Sequence, residues 1–552
     1  MATISVPQPK QTIPWTSRGI MSWITTVDHK KIGLMYIAVS FLFFIISGLL
    51  ALLIRAELSA PGMQFVSTGF YNQLFTMHAT GMIFLFIIPF FSGIGNFIVP
   101  LQIGAADMAF PRINALALWL AVFGGLTMFG GFFFEGGAAA AGWTSYPPLS
   151  NATYSPSIGQ DFWILGLQLI GISSILGAVN FLVTVANMRA PGMTWRKIPL
   201  FTWSVVTAQG MVLAATPMLT GALTMLLTDR QFGTRFFDAA QGDPRLWQHM
   251  FWFYSHPAVY IMILPAMGIV SEILPVFSRK PIFGYFAIFI STVLIGVLGF
   301  TSWLHHMFTI GANPVVETLF MATTIIIAVP TGLKIFNWIA TMWGGSLNLK
   351  TPLMFVIGFL SMFLIGGISG IFQAAVPLAK QLHDTYWVVG HIHYVLFGGS
   401  VFGIFAAYYY WWPKMTGRML NERIGMWQFW TMFIGMNITF FPMHVLGMLG
   451  MPRRYADYAE EFGWTFMNQI ATFGAFLVAF STLLFIVNVI YVHGFNRGER
   501  ANDNPWEGNT LEWATSSPPP EHNFDRLPPI TSDRPLWDLR IRKLGIQTKD
   551  VH

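Results

Sequence analysis

Thirteen histidines stand in a chain of 552 residues that has no cysteine. Seven of them, His78, His256, His305, His306, His391, His393 and His444, lie in or beside long apolar runs. A polar ring is costly in hydrocarbon, so an ionisable residue at membrane depth marks a functional position. Imidazole is the commonest metal ligand, and no thiolate from this chain competes with it. A lone buried histidine is more often a hydrogen-bonded structural residue. His444, in Phe441-Pro442-Met443-His444, has no partner in the pattern and is read that way. The other six, in four apolar runs, are read as metal ligands.

Their spacing says more. His391 and His393 are two apart, which on a helix of 3.6 residues per turn separates them by about 200°. They cannot share one ion, but they can ligate two cofactors on opposite sides of one helix. His305 and His306 differ by about 100° and converge on one ion only near an irregular or strained turn. His256 and Tyr260 are four apart and share a helix face. A phenol beside a metal-ligating imidazole is suited to donate an electron or a proton; the plain alternative is a residue of the interfacial aromatic belt. Three kinds of site are suggested. One is a haem with two axial histidines and no open position, and another is a haem with one histidine and an open face for oxygen. The third is a three-histidine ion site suited to copper. Spacing alone leaves this partition open.

The elements that must position these residues are membrane helices. Apolar residues make up 54% of the chain and charged residues 10%, against roughly 25% charged in a soluble domain. Apolar runs long enough to cross a bilayer, which takes about 20 residues, predict twelve spans near 32–54, 74–100, 115–134, 163–186, 203–227, 249–274, 283–305, 315–340, 353–373, 386–412, 427–447 and 467–492. The expected fold is an all-α polytopic membrane protein, a bundle of twelve transmembrane helices, because helices satisfy every backbone group without water. No cleavable signal peptide is read at the start, so the first apolar run is a retained span. Lys and Arg cluster in loops after even-numbered spans, as at Arg112, Arg189, Arg196, Lys197, Arg279, Lys280, Lys414, Arg418 and Arg423. The positive-inside rule puts these loops and both termini in the cytoplasm. The organisation expected is a cytoplasmic N-terminal segment (1–31), a catalytic membrane domain (32–492) and a polar cytoplasmic tail (493–552), a surface extension with no chemistry assigned to it. Without cysteine, this chain offers no disulfide, iron–sulfur cluster or thiolate-ligated haem. The net charge of +6 is modest and forms no basic stripe, so nucleic acid is not expected as a partner.

Three motifs carry a resemblance. They are Trp252-Phe253-Tyr254-Ser255-His256-Pro257, Ser302-Trp303-Leu304-His305-His306-Met307-Phe308-Thr309, and His383-Asp384-Thr385-Tyr386-Trp387-Val388-Val389-Gly390-His391-Ile392-His393-Tyr394. From about Trp23 to Phe524 the sequence resembles subunit I of the haem–copper oxygen reductases, the cytochrome c oxidase family. The resemblance implies a twelve-helix bundle in which His78 and His393 ligate a low-spin haem, and His391 a high-spin haem. It further implies that His256, His305 and His306 ligate the copper ion called CuB, with Trp252 as a further cofactor contact. Tyr260 matches the tyrosine that the family cross-links to its copper-ligating histidine. Arg55 matches a residue bonded to a substituent of the low-spin haem. Arg453 and Arg454 match the pair that neutralises haem propionates, as guanidinium suits carboxylates. His383 and Asp384 match a magnesium or manganese site, and Glu57 lies near a calcium or sodium position.

The resemblance also implies two proton routes. One leads from Lys334 past Thr331 toward Tyr260. The other begins at Asp107, in Gly104-Ala105-Ala106-Asp107-Met108-Ala109-Phe110-Pro111-Arg112, with Asn96 and Asn114 nearby. One position departs from the common pattern: Ala258 stands where many members carry a glutamate two residues after the first copper-ligating histidine. Tyr254 and Ser255 match a subgroup in which a tyrosine–serine pair replaces that acid. They are expected to complete the inner end of the Asp107 route through water, since hydroxyls both donate and accept.

The expected activity is reduction of O2 to water by the catalytic subunit of a terminal oxidase of the bacterial inner membrane. Electrons would come from cytochrome c through a copper-bearing subunit II, with subunit III and small subunits as further partners, and proton pumping would be coupled to the reaction. Haem A is the expected haem, with haem O left open. A quinol oxidase is the first alternative. Its members carry a histidine a little over two turns before the low-spin ligand, where this chain has Phe70, although Gln73 is shared. Nitric oxide reductases lack counterparts of Tyr260 and Lys334. A non-redox transporter would explain twelve spans but not the spacing of His391 and His393.

Overall fold

The structure, a computed structural model, describes residues 19–544. Its principal elements are twelve helices. They are α1 (His29–Glu57), α2 (Thr68–Ile103), α3 (Pro111–Phe133), α4 (Ile158–Asn187), α5 (Leu200–Gln231), α6 (Pro244–Phe277), α7 (Tyr285–Gly299), α8 (Pro314–Met342), α9 (Thr351–Ala374), α10 (Tyr386–Thr416), α11 (Glu422–Met448) and α12 (Thr465–Gly494). No β-strand occurs among the described residues. Most helices overrun the expected apolar windows, because polar residues outside those windows start them. Asp28, Ser67, Asp243, Asn313, Thr385 and Asn421 each accept a first-turn backbone N–H, satisfying a donor that the helix itself leaves free. Glu272 of α6 does the same from outside, accepting from Phe201 N at the start of α5 (3.0 Å).

Eleven of the twelve are long and apolar enough to cross a membrane; α7 is the exception. Its 15 residues reach about 22 Å, short of the ~30 Å hydrocarbon core. The expected span 283–305 therefore ends early. The hydroxyls of Thr301 and Ser302 both donate to the Leu298 carbonyl (2.8 and 3.1 Å). Such local bonds compete with helix continuation, and the chain passes into a 3₁₀ turn, Trp303–Met307. α3 ends in a 3₁₀ turn (Gly131–Phe133) and α12 in a π turn (Ile490–Gly494), and two further helices leave α geometry just after a histidine expected to ligate the low-spin haem. A π turn occupies Gly81–Ile87 after His78, and another Leu396–Val401 after His393. Such π turns are frequent at functional sites.

Small residues let the helices approach. A Cβ on Gly33 would stand 2.7 Å from the Gly93 carbonyl oxygen, and one on Gly124 would stand 2.9 Å from that of Gly166, the close packing that replaces a hydrophobic drive inside lipid. The tail beyond α12 is docked rather than free. Trp513 and Glu512 are buried against α10, where Trp411 Nε1 donates to Glu512 (3.3 Å) and Trp513 Nε1 to the Tyr410 hydroxyl (3.0 Å).

Candidate metal centre

His256, on α6, meets His305 and His306 from the 3₁₀ turn after α7. His256 Nδ1 and His305 Nε2 each lie 3.1 Å from His306 Nε2. Three nitrogens bound to one ion at about 2.0–2.1 Å stand roughly 3.1–3.5 Å apart, so the cluster has the dimensions of a three-nitrogen metal site. Other polar atoms leave those nitrogens free: His305 Nδ1 bonds Thr324 Oγ1 (3.1 Å). His256 Nε2 is buried without a partner, beside the Tyr260 ring at 4.8 Å between centroids. That orphaned nitrogen and adjacent phenol fit a bond between the two side chains. Trp252 lies flat on His306, with centroids 3.7 Å apart and planes 9° apart.

The histidines of α2 and α10 form a different arrangement. The rings of His78 and His393 are parallel within 4°, with centroids 6.2 Å apart. Imidazoles on opposite sides of one iron have centroids roughly 6 Å apart, from a metal–nitrogen bond of about 2 Å. Each Nδ1 is held by a backbone carbonyl, His78 by Ser47 (2.9 Å) and His393 by Val389 (2.8 Å). Metal-ligating histidines are typically oriented this way, with the other nitrogen left for the metal. His391 is oriented from α9 instead, its Nδ1 lying 3.1 Å from the Gly366 carbonyl and 3.0 Å from Ser369 Oγ. Thus one helix presents His393 toward α2 and His391 toward α9. His444 packs between Trp387 and Tyr394. Its buried ring nitrogens bond no other side chain, and the backbone of Phe440 and Phe441, one turn earlier on α11, supplies its polar neighbours.

The arginines border these histidines. Arg55 spends Nη2 on the backbone and side chain of Asn468 (both 2.9 Å), while its buried Nε and Nη1 have no partner. A buried guanidinium with idle donors fits a polar substituent on a bound haem. Arg453 Nε donates to Asp384 Oδ1 (2.6 Å). Burial, then the neighbouring Arg453, pulls the Arg454 guanidinium down to about 10, a pair that calls for additional anions such as propionates. Burial raises the Asp384 carboxyl, but Arg453 and His383 outweigh it and hold the group below its usual range. His383 Nε2 lies 3.4 Å from Asp384 Oδ2. No third histidine, aspartate or glutamate joins them in a metal-sized cluster among the described residues. Glu57 is buried with both carboxylate oxygens occupied by the backbone N–H groups of Gln64, Phe65 and Val66 (2.7–3.1 Å).

Lys334 is buried in α8 and donates to Thr292 of α7 (2.7 Å); Thr331 bonds only its own helix, at Ile327 O. Thr292 was not singled out by sequence. Its signal is the Ser291-Thr292 pair of hydroxyls inside an apolar helix. Asn114 donates to Asn96 (2.7 Å). Both line an internal cavity of about 40 Å³, room for about three waters. The same cavity is lined by Tyr36, Ser92, Ser173, Ser174 and Gln209, all missed by sequence reasoning, and reaches Phe84. Phe84 stacks on Tyr254 at 6.2 Å, and the Ser255 hydroxyl is buried and unpartnered. Asp107 lies in the loop before α3, where burial pushes its carboxyl up to about 6.

The profile of the family described as cytochrome c and quinol oxidase polypeptide I matches residues 31–477. A putative cytochrome c oxidase subunit 1-beta of Streptomyces coelicolor is 52% identical over 97% of this chain and 93% of its own. A cytochrome c oxidase subunit 1 of Corynebacterium efficiens is 48% identical over 97% and 92%. A solved haem–copper terminal oxidase dimer superposes with TM-score 0.71 over 84% of this chain and 83% of that one; at 21% identity, this likeness shows the fold. With a histidine set matching the family's cofactors and a family profile covering most of its length, the chain belongs to the cytochrome c and quinol oxidase polypeptide I family, the haem–copper oxidases.

Proposed function

We propose that this chain is the catalytic subunit of a terminal oxidase that takes electrons from cytochrome c and reduces O2 to water. The observation that carries the reading is the coexistence of two histidine arrangements. One is a parallel pair, His78 and His393, and the other a convergent triad, His256, His305 and His306. The first would hold a low-spin haem and the second copper, with His391 holding a high-spin haem. When bound, these groups supply one-electron transfer and oxygen activation.

The chain's own residues supply position and protons. His78, His393 and His391 fix the cofactors through backbone-anchored rings. Trp252 holds the His306 ring in place by stacking. Tyr260 offers a phenolic proton and electron next to the triad. Lys334, through Thr292 and Thr331, would deliver protons toward Tyr260. Asp107, Asn96 and Asn114 would lead water-borne protons along the cavity toward Tyr254 and Ser255, in place of the acid absent at Ala258. Arg55, Arg453 and Arg454 would hold the haem substituents. Haem A is the proposed haem. His383 and Asp384 would bind magnesium or manganese only with further donors from water or a second subunit. Calcium or sodium near Glu57 would share Oε1, which accepts only from Gln64 N, and would need further oxygen ligands beside it.

The enzyme would sit in the bacterial inner membrane with both termini cytoplasmic, beside a copper-bearing subunit II, subunit III and small subunits, and would couple turnover to proton pumping. The absence of a histidine at Phe70 favours cytochrome c over quinol. The test is oxygen consumption by the purified complex with reduced cytochrome c and, separately, with a quinol, alongside extracted-haem analysis. Faster consumption with the quinol would overturn the donor, and absence of haem would overturn the reading.

A further inference from the structure

The tail had no chemistry assigned to it, yet one of its residues is a hub. Asn523 is completely buried and sits at φ +67°, a left-handed conformation that asparagine tolerates better than most residues. Its side-chain nitrogen lies 2.8 Å from the Ala105 carbonyl oxygen, 3.1 Å from that of Ala106 and 2.9 Å from His29 Nε2. Its side-chain oxygen accepts from Lys30 Nζ (2.9 Å). His29 in turn contacts the Asn96 carbonyl through Nδ1 (2.6 Å), and the Asn96 side chain accepts from Asn114. The amide therefore joins three segments: the start of α1, the loop leading into Asp107, and the tail.

We propose that Asn523 is a positioning residue for proton intake at Asp107, its amide clamping the Ala105–Asp107 loop and the His29–Lys30 pair so that the tail forms a fixed wall of the entrance. The proposal rests on the reading of Asp107 as that entrance. The charged groups facing Asp107 are Asp28 and Lys30 of the α1 start. Glu521 of the tail contacts the same lysine, whose Nζ donates to its carbonyl (3.0 Å). A solvated tail would leave Lys30 and the loop carbonyls to water. The clamp instead keeps Asp107 half-buried, with its approach toward Asn96 and Asn114 in one geometry.

The test uses the whole complex. Asn523→Gly keeps the left-handed backbone and removes only the amide. Asn523→Asp keeps the shape but sets an acceptor against the Ala105 and Ala106 carbonyls. Oxygen consumption is followed against pH, with haem spectra as the check on assembly and Asp107→Asn as the reference. The expected result is wild-type haem spectra with turnover reduced at least about fivefold, the equivalent of one of the four hydrogen-bonding contacts that the amide gives up. The low-pH inflection should also move down toward the ordinary carboxylate range, because burial is the largest influence on Asp107 and the variant admits water. If Asn523→Gly does not assemble, Asn523→Asp carries the test through turnover alone, because its added carboxylate opposes any fall of the Asp107 inflection. Wild-type turnover and an unmoved inflection in an assembled Asn523 variant, with Asp107→Asn slowed, would overturn the clamp alone. Wild-type turnover in Asp107→Asn would overturn both the clamp and the reading beneath it.

Discussion

Gly299→Ala, at the last residue of α7, is the sharpest test of how Tyr260 is placed. A Cβ there would stand 2.8 Å from Tyr260 Cδ2, 3.3 Å from Cε2 and 3.4 Å from the Met211 terminal methyl. Carbon atoms prefer roughly 3.5–4.0 Å, so the phenol ring would have to retreat by about 0.7–1.2 Å. The His256 ring stands 4.8 Å away across the pair, and moving the phenol changes its geometry to the triad. Overpacking of this kind costs about 1–3 kcal/mol in stability, which a large helix bundle tolerates. A displacement of about 1 Å at reacting groups costs on the order of 100-fold in rate. The expected outcome is a variant that assembles with normal haem content and a turnover reduced by about two orders of magnitude, measured as oxygen consumption. Gly332→Ala is the control, because nothing lies within 4 Å of its added methyl; it should keep wild-type turnover. Wild-type turnover in Gly299→Ala would refute the claim that close approach at Gly299 sets the Tyr260 position for chemistry.

Two more outcomes follow from the same geometry. Arg55→Leu removes the two idle buried donors as well as the bonds to Asn468; it should shift the low-spin haem absorption band while leaving carbon monoxide binding intact, and an unshifted band would contradict the role given to Arg55. The Asp107 carboxyl is raised from 3.8 to about 6 by burial. The unfolded state then ionises first, so stability is greatest below about 3.8 and falls as pH rises to about 6. Asp107→Asn should flatten that fall in melting temperature between pH 4.5 and 7, and equal slopes in the two proteins would contradict the burial argument.

Much of the fold was legible in the chain because lipid imposes one solution on an apolar run: Pro244–Phe277 and Thr351–Ala374 are recognisable from hydropathy alone. The ends were not, since Asp28 and Asp243 cap from polar flanks that a hydropathy window discards. The early end of α7 was hidden for another reason. Thr301 and Ser302 look like ordinary polar residues until their hydroxyls are seen to turn back on Leu298. At the site, the rotation between His391 and His393 was readable from spacing, because both lie on regular helix. The convergence of His305 and His306 needed tertiary structure to supply both the 3₁₀ turn and the facing His256. The roles of Thr292 and Gln209 were unreadable for the same reason. A polar residue among others in a span is singled out only when its partner, Lys334 for one and the cavity for the other, comes from distant chain. The tail reads as a surface extension from its polar, proline-rich composition, and composition alone does not say which of its residues dock: Asn523, Glu512 and Trp513 are the ones buried.

On the proposed function, α10 would serve two haems, one on each side, through His393 and His391. Reduced-minus-oxidised spectra, with and without carbon monoxide, of complexes carrying His393→Ala or His391→Ala test it directly. The expected result is that His393→Ala loses the low-spin band but still binds carbon monoxide, whereas His391→Ala keeps the low-spin band and loses carbon monoxide binding. Loss of the same band in both variants, or no haem band in the unaltered complex, would contradict it.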